Sequence, residues 1–257
     1  MRLSLLYNPF DLIDRLGLAV RRNRRINRLR HTPASKLGLG HIDSLELLEL
    51  LASTPPSVIY DVGANVGTWS CLAKSLFPAA RIDAFEPLSM HSAEFRKMAA
   101  AWPDDMHLHT CALGATEGTA TMHIMDYADA SSLLPVTVEG QSEFKIKPVA
   151  MQQVPLVPLD TLVLRDKLPL PDLLKLDVQG YELEVLRGSE TCLRHARAVL
   201  CEVSFRAFYA RQPLFPELLS FLTQRGFALH ALGEGTALGQ PLVQADALFL
   251  RTADNLA

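Results

Sequence analysis

Apolar residues Leu5, Leu6, Phe10, Leu12, Ile13, Leu16, Val20, Ile26 and Leu29 recur at three- and four-residue steps, a period that predicts a helix over Leu3–Arg30. Thr32-Pro33-Ala34-Ser35 ends it, Asp43 or Ser44 is placed to cap a short helix running to Leu51, and Pro55-Pro56 stops that helix. From Val58 onward the pattern changes to short apolar runs alternating with amphipathic stretches. Strands are expected at Val58–Asp61, Arg81–Phe85, Met106–Cys111, Thr119–Met125, Leu173–Asp177 and Ala198–Val203, with Ala228–Leu232 and Ala247–Arg251 as a closing antiparallel pair. Helices are expected at Thr68–Phe77, Ser89–Ala101, Thr161–Arg165 capped by Asp160, Tyr181–Gly188 and Pro216–Arg225. Residues 126–157 carry Pro135, Pro148 and Pro155 and read as a loop-rich excursion over the site. Strands alternating with helices imply an α/β fold whose mostly parallel sheet is covered on both faces. The expected organisation is a helical segment over residues 1–56 and one α/β domain over residues 57–257.

At 257 residues, 49% of them hydrophobic, the chain is long enough for a full two-sided core. The net charge of -3 carries no global nucleic-acid signature. Charge is uneven, however: residues 1–31 hold eight Arg against Asp11 and Asp14, so the remainder is acidic. Two readings of this basic helix stand side by side. It packs on the domain or a partner with its Arg face solvated, or it lies on a membrane surface. No apolar run reaches the roughly 18 residues of a spanning helix, and the N-terminus lacks the order of a secretory signal. Cys71, Cys111, Cys192 and Cys201 are scattered without a CxxC pair, which reads as buried thiols in a reducing cytoplasm.

The strongest local signal is Asp61-Val-Gly63-Ala-Asn65-Val-Gly67-Thr-Trp-Ser70, between the first strand and its helix. Ligands of doubly wound sheets bind beyond the carboxyl ends of the strands. Gly63 permits a sharp turn, Gly67 permits close backbone approach, and the helix N-terminus beyond suits a carboxylate. Glu86 closes the second strand nineteen residues after Gly67, where a carboxylate can accept hydrogen bonds from ribose hydroxyls. A nicotinamide dinucleotide wants G-x-G-x-x-G. Here Asn65 stands where a pyrophosphate needs bare glycine backbone, which points instead to a phosphate-free nucleoside, S-adenosylmethionine. Asp61 is then a candidate for its ammonium, and Ala112, in Cys111-Ala-Leu-Gly114, for a small-residue floor under the adenine.

These pieces together resemble the FkbM family of methyltransferases. The matching residues are Asp61–Gly67, Phe85-Glu86-Pro87, Ala112-Leu-Gly114 with Gly118, Asp129-Ala-Ser131-Ser132-Leu133, Val157-Pro-Leu-Asp160, Leu174-Lys-Leu-Asp177-Val-Gln-Gly180-Tyr-Glu182, Val185-Leu-Arg-Gly188, Glu202 and Asp246–Arg251. The resemblance spans about residues 57–251. It implies a Rossmann-like class I methyltransferase fold with a seven-stranded sheet, S-adenosyl-L-methionine as donor, and an oxygen acceptor on a sugar or glycosylated natural product. Cys111 stands where similar proteins often carry Asn.

An alcohol is a poor nucleophile until its proton is removed, so a base or a metal is expected beside it. Asp177 and Glu202 end or occupy apolar runs, costly places for a carboxylate without a partner. They are the candidate catalytic pair, with Glu182 one turn into the next helix. Whether they hold Mg²⁺ or act as a base with an orienting acid stays open. Tyr181, Ser131, Ser132 and His230 are candidate acceptor contacts. The competing readings are a donor-binding protein without turnover and an NAD(P)-dependent oxidoreductase.

Overall fold

The computed structural model describes residues 9–38, 42, 44–233 and 242–252. In chain order the elements are α1 (Pro9–Leu29), α2 (Leu45–Glu49), β1 (Val58–Val62), α3 (Thr68–Leu76), β2 (Arg81–Phe85), α4 (Ser92–Ala99), β3 (Met106–His109), β4 (Ala112–Leu113), β5 (Gly118–Met125), α5 (Val138–Phe144), β6 (Pro148–Val157), α6 (Leu159–Asp166), β7 (Leu173–Leu176), α7 (Glu182–Arg187), α8 (Glu190–His195), β8 (Ala198–Ser204), α9 (Phe215–Thr223), β9 (Phe227–Leu232) and β10 (Gln244–Arg251). The main sheet has seven strands in the order β3-β2-β1-β7-β8-β10-β9, with β10 antiparallel to both neighbours and the other described pairings parallel. Its strand order reverses between β1 and β7, and a ligand crevice is expected outside the carboxyl ends there.

Alternation along each strand buries both faces. Ile59, Ile82, Leu173, Leu200 and Leu248 pack against α2, α3 and α4 on one side. Tyr60, Phe85, Leu174, Leu176, Val199 and Phe249 pack against α6, α7, α8 and α9 on the other. This is the two-sided apolar coverage that parallel strands require.

Three local expectations are corrected. The third strand stops at His109, and Ala112–Leu113 leaves the main sheet to pair with Leu156–Val157 of β6. The excursion is not loop-rich throughout: it contains α5 and the ten-residue β6, which pairs antiparallel with β5. Proline is tolerated in β6 because Pro148 opens the strand and β4 reaches only its last two residues, leaving an edge beside Pro155. Asp160 does not cap its own helix. Its carboxylate accepts the Thr191 and Cys192 N–H groups at 2.6 and 3.0 Å, capping α8, an element the apolar pattern does not announce.

Expectations for residues 1–8 and for Asp43 lie outside the described residues. Ser44 stands at the N-cap of α2, but its hydroxyl donates to Asp246 Oδ2 at 2.5 Å. Leu29 and Arg25 of α1 are buried, whereas Val20 and Ile26 are exposed. Arg25 reaches Glu46 through both Nε and a terminal nitrogen at 2.9–3.2 Å, and Arg24 and Arg28 both pair with Glu49. Burial opposes ionisation of Glu46, but Arg25 outweighs it and holds the carboxyl below its usual range. Arg25→Ala is therefore expected to cost about 2 kcal/mol near neutral pH, as loss of a charge-assisted pair does. A group with a lowered folded-state value stabilises above its unfolded value and loses that contribution as pH falls. Urea denaturation should accordingly show the gap between variant and parent closing below about pH 4. A gap independent of pH would dismiss the ion pair as its source. No described helix is long and apolar enough to cross a membrane.

Candidate functional site

β1 delivers Asp61 and then turns at Gly63 in the left-handed region (φ 81°). The turn is forced against β7: a Cβ on Gly63 would lie 1.8 Å from the Asp177 carbonyl oxygen. Gly67 (φ 86°) starts α3 against the Phe95 ring. Asn65 also takes a left-handed conformation, which Asn tolerates better than most residues. Its N–H donates to Glu86 Oε2 at 3.0 Å, and Leu88 N–H donates to Glu86 Oε1 at 2.8 Å. Each Glu86 oxygen thus has one backbone donor and a lone pair to spare. His91 is buried beside it, Nδ1 3.4 Å from Oε1, with no hydrogen-bond partner at either ring nitrogen.

A first cleft of about 580 Å³ runs along this turn. Gly63, Asn65, Glu86, His91, Cys111 and Ala112 line it, with Tyr181, Ser131 and Ser132. A second, polar cleft of about 840 Å³ adjoins it, lined by Thr68, Trp69, Lys175, Glu202 and Asp246 among others. Both clefts are walled by Gly63, Asn65, Asp129, Asp177 and Gln179. They meet at the carboxyl ends of β1 and β7.

The shared wall is built from three loops. Gln179, left-handed at φ 53°, donates its amide N–H to Asp177 Oδ1 at 2.8 Å and Glu202 Oε2 at 3.2 Å. Tyr209 Oη lies 3.0 Å from Gln179 Oε1 and 2.9 Å from the Ala130 carbonyl. Ser132 Oγ donates to the Gln179 carbonyl at 2.8 Å. Asp129 accepts from Asn65 Nδ2 at 2.6 Å, tying the excursion to the glycine-rich turn. An amide donor stands between Asp177 and Glu202, where a cation shared by the two would sit. Among the described residues, no three His, Cys, Asp or Glu side chains converge in a metal-holding arrangement.

Glu202 pairs across the sheet with Asp246. Burial first, then the Asp177, Glu182 and Asp246 carboxylates, push Glu202 well above the usual carboxylate range. Burial disfavours the Lys175 ammonium, but Asp61 and Asp177 outweigh it and drive the group upward, so it stays charged.

The expected site residues separate into two sets. Glu86, Ala112, Tyr181, Ser131 and Ser132 line the first cleft, Glu202 lines the second, and Gly63, Asn65 and Asp177 line both. Tyr181 stands against Gly114 and Leu156 on the Ala112 side, and Ser131 Oγ accepts the Met125 N–H. Asp61, Gly67, Glu182 and His230 are not on either lining. Asp61 is fully buried, accepting from Ser70 Oγ at 2.6 Å and facing Lys175 Nζ at 3.2 Å. The Glu182 carboxyl accepts the Val178 and Gly180 N–H groups and is pushed by burial up to about 7. His230 is exposed on the edge strand β9.

Lys175, Gln179, Tyr209, Asp246 and His91 are site residues that the sequence reading misses. Lys175 carries a local signal, a charge inside the apolar run Leu173–Leu176, and Gln179 and Asp246 stand within the motifs of the family resemblance.

The chain matches the model of the methyltransferase FkbM domain over residues 61–229. It is 27% identical over 167 residues to hexuronic acid methyltransferase AglP of Haloferax volcanii, covering 64% of this chain and 62% of that protein's length. It is 29% identical over 172 residues to methyltransferase 1 of Beauveria bassiana, covering 61% and 69%. Magnesium protoporphyrin IX methyltransferase from Synechocystis with bound SAM superposes with a TM-score of 0.46 at 12% identity, over 88% of this chain and 90% of that one. With more than half of its length inside the domain match, and Asp61–Gly67, Glu86 and Lys175–Glu182 within it, this chain belongs to the FkbM family of methyltransferases.

Proposed function

We propose that the protein transfers a methyl group from S-adenosylmethionine to a hydroxyl oxygen of a saccharide. The observation that carries this reading is the junction of the two clefts at Asp177. A nucleoside held in the first faces an acceptor held in the second across one carboxylate. The donor residues fit. Glu86 keeps free lone pairs for ribose hydroxyls, the buried His91 nitrogens lack partners, and Ala112 with Tyr181 offers a flat wall. Bound S-adenosylmethionine supplies a methyl carbon already activated by a sulfonium. The chain therefore has to align the acceptor oxygen and receive its proton.

Asp177 is the residue assigned to that proton, with Gln179 fixing its orientation. Glu202 accepts a hydrogen bond from the same Gln179 amide, which ties the two carboxyl groups together. Asp61 and Glu182 act through others. Asp61 anchors Lys175 behind the glycine turn, and Glu182 holds the Val178–Gly180 backbone that carries Gln179. The hexuronic acid named for the Haloferax relative supports a saccharide as the acceptor class.

The direct test combines S-adenosylhomocysteine calorimetry with labelled-methyl transfer onto a glycan panel. Absence of homocysteine-nucleoside binding ends the donor assignment, and binding without transfer to any saccharide ends the acceptor assignment. Tyr209→Phe removes the hydroxyl that holds Gln179. It is expected to lower kcat about tenfold with unchanged donor affinity, the pattern of a positioning residue. A loss confined to donor affinity would place Tyr209 elsewhere in the mechanism.

A further inference from the structure

α1 buries little of itself against the domain. Among its described side chains, at residues 17 and 19–29, only Arg25 and Leu29 are buried. Val20 is 68% exposed, and Ile26 is exposed as well. Around them stand exposed Arg21, Arg22, Arg24 and Arg28, with Arg30 just past the helix end. The acids that face these arginines are Glu46 and Glu49 of α2. Glu46 is taken by the buried Arg25, and Glu49 is shared between Arg24 and Arg28. Arg22 and Arg30 stand within ion-pair distance of no carboxylate among the described residues. Asp11 and Asp14 lie ahead of the basic stretch, in the first half of the helix. The arginines outnumber the carboxylates, so this surface stays basic. A second observation lies alongside it. α1, α2 and the end of β9 border a groove of about 860 Å³, whose lining combines Leu47, Leu50 and Leu232 with Arg21, Arg24 and Glu46. Leu50 and Leu232 are themselves exposed. A single exposed aliphatic residue needs no explanation, but aliphatic groups gathered with guanidinium groups along one helix and its groove mark a binding surface.

We infer that α1, with the groove beside it, docks on a membrane surface that carries anionic phospholipid headgroups. Both halves of the surface are then used. Phosphate oxygens accept from the Arg22 and Arg30 guanidinium groups, and Val20 and Ile26 enter the boundary between headgroups and acyl chains. A nucleic acid would engage the arginines but leave the aliphatic groups in water. The contact is peripheral, because no described helix is long and apolar enough to cross a bilayer. The groove also adjoins the second cleft. Gly233 of its lining donates its N–H to the Asp246 carbonyl at 2.7 Å, and Asp246 lines that cleft. Docking through α1 would bring the second cleft close to the lipid surface, whatever acceptor that cleft takes.

The test is co-sedimentation of the full chain with vesicles of phosphatidylcholine, alone or mixed with phosphatidylglycerol. Partition onto the mixed vesicles is expected to exceed that onto phosphatidylcholine by at least about tenfold, and to fall as salt rises. The double variant Arg22→Gln, Arg30→Gln is expected to lower that partition by about tenfold or more, as the loss of two surface charges does. The double variant Val20→Ser, Ile26→Ser is expected to lower it several-fold while keeping the preference for anionic lipid. All these positions are exposed, so both variants are expected to keep the parent's urea midpoint, which separates a lost contact from a lost fold. No partition onto the mixed vesicles, equal partition onto both vesicle types, or full partition by the arginine variant overturns the inference. So does tight, salt-sensitive binding of duplex RNA by a chain that leaves the vesicles bare, which would make the basic face a nucleic-acid surface.

Discussion

Asp177→Ala is expected to abolish methyl transfer, lowering kcat by roughly a thousandfold, while S-adenosylhomocysteine affinity stays within a few-fold of the parent. The magnitude is that of a positioned general base. The residue sits just beyond β7, its Oδ1 accepting from Gln179 and its Oδ2 3.5 Å from Lys175. These contacts orient the carboxylate without burying it, since the side chain is 39% exposed where the clefts meet. Removing it takes away the proton acceptor but leaves Glu86, Asn65 and Ala112, the proposed donor contacts, in place. Asp177→Asn is the sharper variant, because it keeps the shape and loses only the basicity. Either variant retaining full transfer would remove Asp177 from the chemistry. A parallel collapse of donor affinity would make it a donor ligand instead.

Gly63→Ala is expected to be the most damaging single-methyl change in the described chain. Its new Cβ would stand 1.8 Å from the Asp177 carbonyl oxygen and 2.8 Å from the Asp177 carbonyl carbon, and the backbone there is at φ 81°. Ordinary contact begins near 3.4 Å, so β1 and β7 would have to part by well over an ångström. Left-handed strain and forced overpacking each cost about 1–3 kcal/mol. A loss of about 3 kcal/mol or more is therefore expected in chemical denaturation, a large share of a typical domain's 5–15 kcal/mol. Any folded fraction would carry Asp177 displaced from its acceptor, and misplacement by about 1 Å can cost a hundredfold in rate. Gly17→Ala is the matching control: nothing lies within 4 Å of its added Cβ, and no loss is expected. Parent-like stability and activity in Gly63→Ala would mean that β1 and β7 do not approach as closely as described.

Much of this molecule follows from local pattern. Strand β2 falls at Arg81–Phe85 and α3 starts at Thr68, as periodicity and the glycine-rich turn require. Glu86, Asp177 and Glu202 could be placed at one edge of the sheet because parallel strands with helical crossovers bring their carboxyl ends together. That inference needs only chain order. The tertiary structure decided whatever depends on residues far apart in sequence. Asn65 and Asp129 meet across 64 residues, Gln179 and Tyr209 across 30, and Ser44 and Asp246 across 202. β6 was hidden because its partner, β5, supplies the pairing that its prolines obscure. Asp61 reads as a ligand group from its place in the glycine-rich motif, and Glu182 from its place one turn into the helix beyond Asp177. Sequence could show that each needed a partner. Only the fold showed that the partners were Ser70 and Lys175 for one and the Val178–Gly180 backbone for the other. Periodicity records which face a residue presents, whereas a side chain's partner is set by which distant segment the packing brings against that face.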